Sequence, residues 1–339
     1  MNIKAFFIIL AVGFISISCE KDVEFKGEIT NPLVVVNSFV TPDSTITAYI
    51  SMSRFFLNDT ADFRNVNKAE VNLWVNGTLK EKLTFDSVGI YTSTYKPEMS
   101  DSLKLTVDVP QMKQVSATTN FTNAPIVLSV DTQKVIINKE VLWYSSGDTL
   151  VVKDHYKVNY KLKFQDNGDQ KNYYRLIVRE VSFKGVWNED THKVDTMASH
   201  TTPHYPDFDF TDVVSGNTTD PLADSGTSPV AILLSDANNR YHVFSDDIFN
   251  GKTYTLQFST NITKYIKDIH YGSLENIKHE IYISLQSISE DYYLYLQTRS
   301  ASYATNLFSE PVKVHNNING GIGILGSYTT SNIVKINLD

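Results

Sequence analysis

The sequence predicts a mainly β protein: an N-terminal immunoglobulin-like β-sandwich, then a larger β-rich, sandwich-like domain that carries one helix. Three observations predict it. Tyr and Phe number 19 and 18 beside many Val, Ile and Thr, residue types that fit a pleated, half-buried surface. Apolar and polar residues alternate in short runs divided by turn residues. A single stretch has helical spacing.

Residues 33–40 (LVVVNSFV) form the first expected strand, closed by the turn Thr41-Pro42-Asp43-Ser44, and residues 45–53 form its partner. After a polar loop over 58–67, Val71, Leu73 and Val75 alternate with Asn72 and Trp74. Asn76-Gly77 then supplies the two positive-φ positions of a type I′ hairpin turn. Residues 89–95, 103–110 and 114–121 complete a sandwich spanning 30–124. The cysteine pair of true immunoglobulin domains is missing, so the likeness is architectural. Asn123-Ala124-Pro125 marks the boundary to the second domain, 125–339.

There, 149–166 and 172–185 are long alternating strands, and Trp187 to Thr227 reads as a polar loop. A loop of that length is functional or disordered. Residues 229–235, 252–260 and 279–289 return to strand. The helix is expected near 289–304, with Ser289 as N-cap and Glu290 and Asp291 in the first turn, where the helix dipole favours acids. Ile288, Tyr292, Tyr295, Leu296, Arg299 and Tyr303 recur at helical spacing and read as a core face. The turn Asn319-Gly320-Gly321 and a final strand pair close the chain.

The first residues carry a separate signal. Lys4 precedes an apolar run, Ala5 to Ile15, and Ser16 and Ser18 lead to Cys19, the only cysteine. The run is shorter than the about 20 residues that span a bilayer. A charged start, an apolar core and a small-residue exit make residues 1–18 a signal peptide. Ending in cysteine, it resembles a bacterial lipoprotein signal, in which the thiol becomes a thioether to diacylglycerol and the new N-terminus is acylated by a fatty acid such as palmitate. Residues 19–29, with Glu20, Lys21, Asp22 and Glu24, then form a tether. These acids also resemble a surface-export signal, a plain flexible tether being the other reading. With one thiol no intramolecular disulfide is possible, so the fold must hold by packing. A chain of this length buries about three quarters of its surface.

The formal net charge is −8; without residues 1–18, 29 Lys and Arg face 38 Asp and Glu, giving −9. No basic patch accompanies that balance, so nucleic acid is not an expected partner. No nucleophile elbow, phosphate-cradling glycine loop or His-Glu-x-x-His occurs. No catalytic residue, metal ligand or cofactor is therefore assigned. The strongest metal candidate is residues 200–212 (HTTPHYPDFDFTD). His200 and His204 are four apart, but Pro203 and Pro206 forbid the helix that would align them. A loop could gather His192, His200, His204, Asp207 and Asp209 for a zinc-like ion, while a solvated polar loop is the plainer reading. Asp207, Asp209, Asp212, Asp220 and Asp224 lack the ordered spacing of a calcium loop. The same region makes Trp187, His200, His204 and Tyr205 candidate ligand or partner contacts, since recognition favours large amphipathic side chains. The alternative is that these rings tuck onto the sheet.

A triplet of Asp, Ser or Thr and a third residue recurs: Asp43-Ser44-Thr45, Asp59-Thr60-Ala61, Asp86-Ser87-Val88, Asp101-Ser102-Leu103, Asp148-Thr149-Leu150 and Asp195-Thr196-Met197. It resembles the Asp–Ser/Thr–apolar acceptor of a bacterial O-glycosylation system for exported proteins; ordinary turn chemistry is the alternative.

Six phrases taken together, KAEVNLWVNG, GIYTSTY, KNYYRLIV, DDIFNGKTYTLQF, SISEDYYLYL and FSEPVKVHNNINGGIGILGSYTT, resemble the domain of unknown function 4249 family from about Leu33 to Ile336. The most specific part is Glu310-Pro311-Val312, Asn317 and Gly321-Ile322-Gly323. The resemblance implies an outer-membrane lipoprotein of a diderm bacterium whose gene neighbours encode TonB-dependent transporters, and it carries no catalytic residues. The expected function is a non-enzymatic accessory or ligand-binding partner of such a transporter, lipid-anchored and with the exposed membrane face left open. A free-standing adhesin or glycan-binding lipoprotein is the alternative, and a metal-dependent hydrolase ranks third.

Overall fold

The computed structural model describes residues 31–54, 64–143, 150–188, 190–191, 193–198, 208–210, 212–215, 239–267, 273–303 and 312–338. The first region contains β1 (Val34–Val40), β2 (Thr47–Met52), β3 (Glu70–Val75), β4 (Thr78–Lys82), β5 (Thr84–Ser87), β6 (Ile90–Thr92), β7 (Ser102–Asp108) and β8 (Val115–Asn120). The second contains β9 (Ile126–Trp143), β10 (Leu150–Gln165), β11 (Tyr173–Asn188), β12 (Lys193–Ala198), β13 (Phe208–Asp209), β14 (Val243–Ser245), β15 (Thr253–Lys267) and β16 (Ser273–Ile288). Helix α1 (Glu290–Tyr303), β17 (Ile322–Thr330) and β18 (Val334–Asn337) follow. The protein is mainly β, as its residue usage and alternation predict.

Among the described residues the strands form three sheets. The longest runs β12-β11-β16-β17-β1-β2-β6-β5, with β14 also on β11 and β18 on β16. Two four-stranded sheets, β4-β3-β7-β8 and β13-β15-β10-β9, complete the set. Each small sheet packs on one half of the long one, giving two cores. The first joins Val36, Ile50, Leu73 and Leu105 to Ile318 and Leu325 from the far end of the chain. The second joins Leu162 and Phe164 of β10 and Leu256 of β15 to Leu176 of β11 and Ile283 of β16. Every even position of β10 from Tyr156 to Phe164 is buried and the odd ones face outward, as strand periodicity requires.

Strand β17 joins the halves. It pairs in parallel with β1 from Val35↔Ile322 to Val40↔Ser327, then antiparallel with β16 from Gln286↔Thr330 to Ile288↔Tyr328. Hydroxyls stitch the same seam: the Thr119 hydroxyl donates to Ser327 Oγ (3.0 Å), Ser327 Oγ to the Asn120 carbonyl (2.5 Å), and Thr329 Oγ1 to the Thr122 carbonyl (2.8 Å). The long sheet thus crosses the boundary expected at residues 123–125.

Three details depart from the sequence reading. β9 has no counterpart in it, because this edge strand exposes most of its residues and two register shifts, opposite His155/Tyr156 and Lys163/Phe164, break its alternation. The loop expected from Trp187 holds a hairpin instead, since β11 runs to Asn188 and β12 returns along it. The last two strands do not pair with each other; both lie on β16. The strand expected at 229–235 lies outside the described residues. The hairpin at Asn76-Gly77 has φ of 51° and 80°, the geometry its residues call for.

Candidate functional site

The surface best equipped for recognition lies where α1 crosses the seam. Ser289 caps the helix as expected: its Oγ accepts from the Tyr292 N–H at 3.4 Å and also from the Ser327 N–H at 3.2 Å. Ile288, Tyr292 and Leu296 of the predicted core stripe are buried, whereas Tyr295 and Arg299 of the same stripe stay half-exposed. Gly326 makes room for it, because a Cβ there would stand 2.9 Å from Tyr292 Cβ. The segment after the helix closes its N-terminal end. His315 Nε2 lies 2.8 Å from Asp291 Oδ1, and Asn317 Nδ2 donates to Asp291 Oδ2 at 3.1 Å. The Asn317 amide also exchanges two hydrogen bonds with the Leu325 backbone, both 2.9 Å, in place of a neighbouring strand. The motif around Asn317 and Gly321 is therefore spent on architecture.

Aromatic rings spread outward from this helix, from the buried Tyr173 and Tyr292 to the half-exposed Tyr293 and Tyr295 and the exposed Phe39. Phe39 of β1 is 42% exposed and lies 4.8 Å, centroid to centroid, from Tyr292 and 6.3 Å from Tyr295. Tyr173 stacks on Tyr293 at 4.7 Å. Arg299 sits against the Tyr295 and Tyr241 rings and donates to Tyr295 Oη at 2.7 Å. Arg175 donates to Tyr292 Oη at 2.9 Å, and its buried Nε has no acceptor among the described residues. Burial, reinforced by the hydrogen bond to Glu290, pushes the Tyr173 phenol up to about 12, and burial likewise raises Tyr292 and Tyr293. These phenols stay neutral donors across the physiological range. Burial first, and then Arg175, bring His242 down to about 4, so its ring is uncharged at neutral pH. Tyr, Phe and Arg together, half-buried and apolar with polar tips, are the composition of interface hot spots.

Two other polar clusters are structural by their geometry. Asp166 and Asp246, 3% and 1% exposed, hold the 166–172 loop to the 246–252 turn. Asp166 accepts from the Tyr174 hydroxyl and from the Gly251 N–H (2.6 Å), and Asp246 Oδ2 accepts from the Asn172 N–H (2.8 Å). The Asn172 amide donates into the centre of this knot, with acceptors at Asn167 O (2.5 Å) and Gln170 O (2.8 Å). Sequence reasoning assigned none of these three residues a role, although two of the phrases carrying the family resemblance, KNYYRLIV and DDIFNGKTYTLQF, meet here. The second cluster is the buried pair His279 Nδ1 and Glu180 Oε1, 2.5 Å apart across β11 and β16. Near the β3–β7 edge, an open hollow of about 420 Å³ is lined by Lys68, Glu70, Lys82 and Asp108, but Glu70 is already bonded to Asn72 and Lys82, and Asp108 to Gln114.

Of the sequence candidates, Trp187 lies in β11 with its backbone paired to Val194, on a strand rather than in a loop. His200, His204 and Tyr205, like Cys19, lie outside the described residues. Among the described residues, no group of three or more His, Cys, Asp and Glu could hold a metal ion, and no helix is long and apolar enough to cross a membrane.

The family model described as "Domain of unknown function (DUF4249)" matches residues 20–333. No curated protein matches the chain. One solved chain, from work on the structural basis for the promiscuous specificity of carbohydrate-binding modules of the β-sandwich superfamily, is similar at 11% identity. The match covers 76% of this chain and 97% of that one, with a TM-score of 0.18, too poor a superposition to align one site with another.

Proposed function

Starting from the premise that this chain belongs to the DUF4249 family, we propose that it is a non-enzymatic, lipid-anchored outer-membrane protein serving as accessory or ligand-binding partner of a TonB-dependent transporter. The observation that supports this reading is the aromatic and arginine surface of Phe39, Tyr293, Tyr295 and Arg299 at the seam of the two sandwiches. Half-buried rings with polar tips suit contact with protein better than chemistry on a small substrate. The anchor narrows the partner. Cys19 and Leu33 are 14 positions apart, so an extended tether reaches roughly 50 Å at most. An acylated Cys19 would keep this surface close to the bilayer, within reach of the exposed loops of a membrane-embedded barrel.

The test is co-purification of the tagged, acylated protein from native outer membranes in mild detergent. The wild type is expected to bring down a TonB-dependent barrel in stoichiometric amount. The double variant Phe39→Ser, Tyr293→Ser should lose it while melting within a few degrees of wild type. Absence of any barrel from the wild-type sample, with Cys19 acylated, would favour a free-standing glycan binder instead.

A further inference from the structure

We infer that Ser44 and Ser87 are O-glycosylation sites, and that Ser102, in an equivalent triplet, is not. The inference rests on the export step of the proposed function, because the acceptor must reach a compartment where glycosylation of exported chains occurs.

The structure separates the described triplets into two kinds. In Asp101-Ser102-Leu103 the carboxylate is buried at 6% exposure and fully engaged. It accepts from the Tyr95 hydroxyl (2.6 Å), the Glu98 N–H (2.8 Å) and Asn76 Nδ2 (3.0 Å). Leu103, 1% exposed, belongs to the first core. Turn chemistry and packing explain that triplet completely, and an enzyme could read neither flank of Ser102.

Asp43-Ser44-Thr45 and Asp86-Ser87-Val88 are different. All six residues are exposed, Val88 to 60%. Asp43 and Val88 have φ of 61° and 32°, which places both serines on sharply turned backbone. If ordinary turn chemistry explained these triplets, each Asp carboxylate would hold its own turn, as Asp and Asn side chains do. Neither does. Among the described residues the side chains of Asp43, Ser44, Asp86 and Ser87 make no hydrogen bond or ion pair. Two carboxylate–hydroxyl pairs, one in the β1–β2 loop and one at the end of edge strand β5, with an accessible third residue and no internal use, are groups left free for recognition from outside. A loop and the turn end of an edge strand are also where an enzyme can seat an acceptor segment without unfolding the sheet.

The chemistry is glycosyl transfer from an activated sugar carried on a phosphate leaving group. The serine Oγ attacks the anomeric carbon, the bond from that carbon to the phosphate oxygen breaks, and the hydroxyl proton passes to a base of the transferase. The serine ends as an acetal and no redox partner is needed.

Intact-mass and glycopeptide spectrometry of the full chain from its native host tests this. The expected spectrum shows a glycan increment lost in equal steps by Ser44→Ala and Ser87→Ala and unchanged by Ser102→Ala. Asp86→Asn, which touches no contact, should abolish the increment at Ser87 with that serine still present. An unmodified mass on a chain acylated at Cys19 would overturn the inference and leave the lipoprotein reading standing. An unmodified mass on a chain that retains residues 1–18 would overturn both. A glycan found on Ser102, with Ser44 and Ser87 bare, would show that exposure of the triplet does not decide acceptance.

Discussion

Asp246 carries the clearest consequence of burial at a single residue. Removal from water, together with the like charge of Asp166, raises its pKa above the ordinary carboxylate range, against the hydrogen bond from the Asn172 N–H. Folded protein therefore keeps this proton to higher pH than the unfolded chain does. Between the two values the folded state binds more protons, so the group's contribution to stability is present in acid and declines as pH rises above about 4. Asp246→Asn retains an acceptor oxygen for the Asn172 N–H and removes the charge. It is expected to be at least as stable as wild type at pH 7 and to flatten that decline. Urea denaturation at three pH values checks this; a variant clearly weaker at pH 7 would show that the charged form is required. The knot itself was invisible in sequence, because Asp166, Asn172 and Asp246 sit in polar stretches like any surface loop and only the β10–β11 and β14–β15 turns bring them together.

Among the elements, α1 was the most legible. Ser289, Glu290 and Asp291 announce its start, and the spacing of Ile288, Tyr292 and Leu296 fixes its buried face. What sequence could not assign was the outer face: Tyr295 and Arg299 share the predicted stripe yet end half-exposed near Phe39, 256 positions before Tyr295, with no pattern that links them. Ser289 has a double task, capping the helix and accepting from the Ser327 N–H on β17. Ser289→Ala is expected to cost about 1–2 kcal/mol, at the upper end because two donors lose an acceptor. Ser289→Asp should recover most of the loss, read as the urea midpoint. A neutral Ser289→Ala would show that the cap contributes nothing beyond packing of Tyr292. β9 marks the opposite case, since an exposed edge strand with two bulges has no buried face to impose a period.

For the whole molecule, the shared strand makes a prediction against the division at residues 123–125. The first core includes Ile318 and Leu325, and β1 has β17 as its neighbour. Fully burying each such side chain contributes about 1.5–3 kcal/mol, so a fragment of residues 30–124 lacks two core residues and one sheet edge. That fragment is expected to be unfolded or aggregated by circular dichroism and size exclusion, and the whole chain to unfold in a single calorimetric transition. A well-folded fragment, or two separated transitions, would restore two independent domains.

The sequence by itself determined what is local. Alternation set the strands that have one buried face, Asn76-Gly77 set a hairpin whose glycine has nothing within 4 Å of a would-be Cβ, and Ser289 with two acids set the helix. Tertiary structure alone decided what depends on a distant neighbour. Gly323 stands out in sequence only as part of the Gly321-Ile322-Gly323 phrase, yet its φ is +121° and a Cβ would stand 2.0 Å from the Val36 carbonyl oxygen, where β17 docks beside β1. Which aspartates stay free and which hold the fold, which rings enter the core and which face outward, and which two sandwiches share a sheet all follow from that docking. Sequence periodicity records the face a residue shows to its own element; it holds no record of the backbone that arrives from 287 positions away.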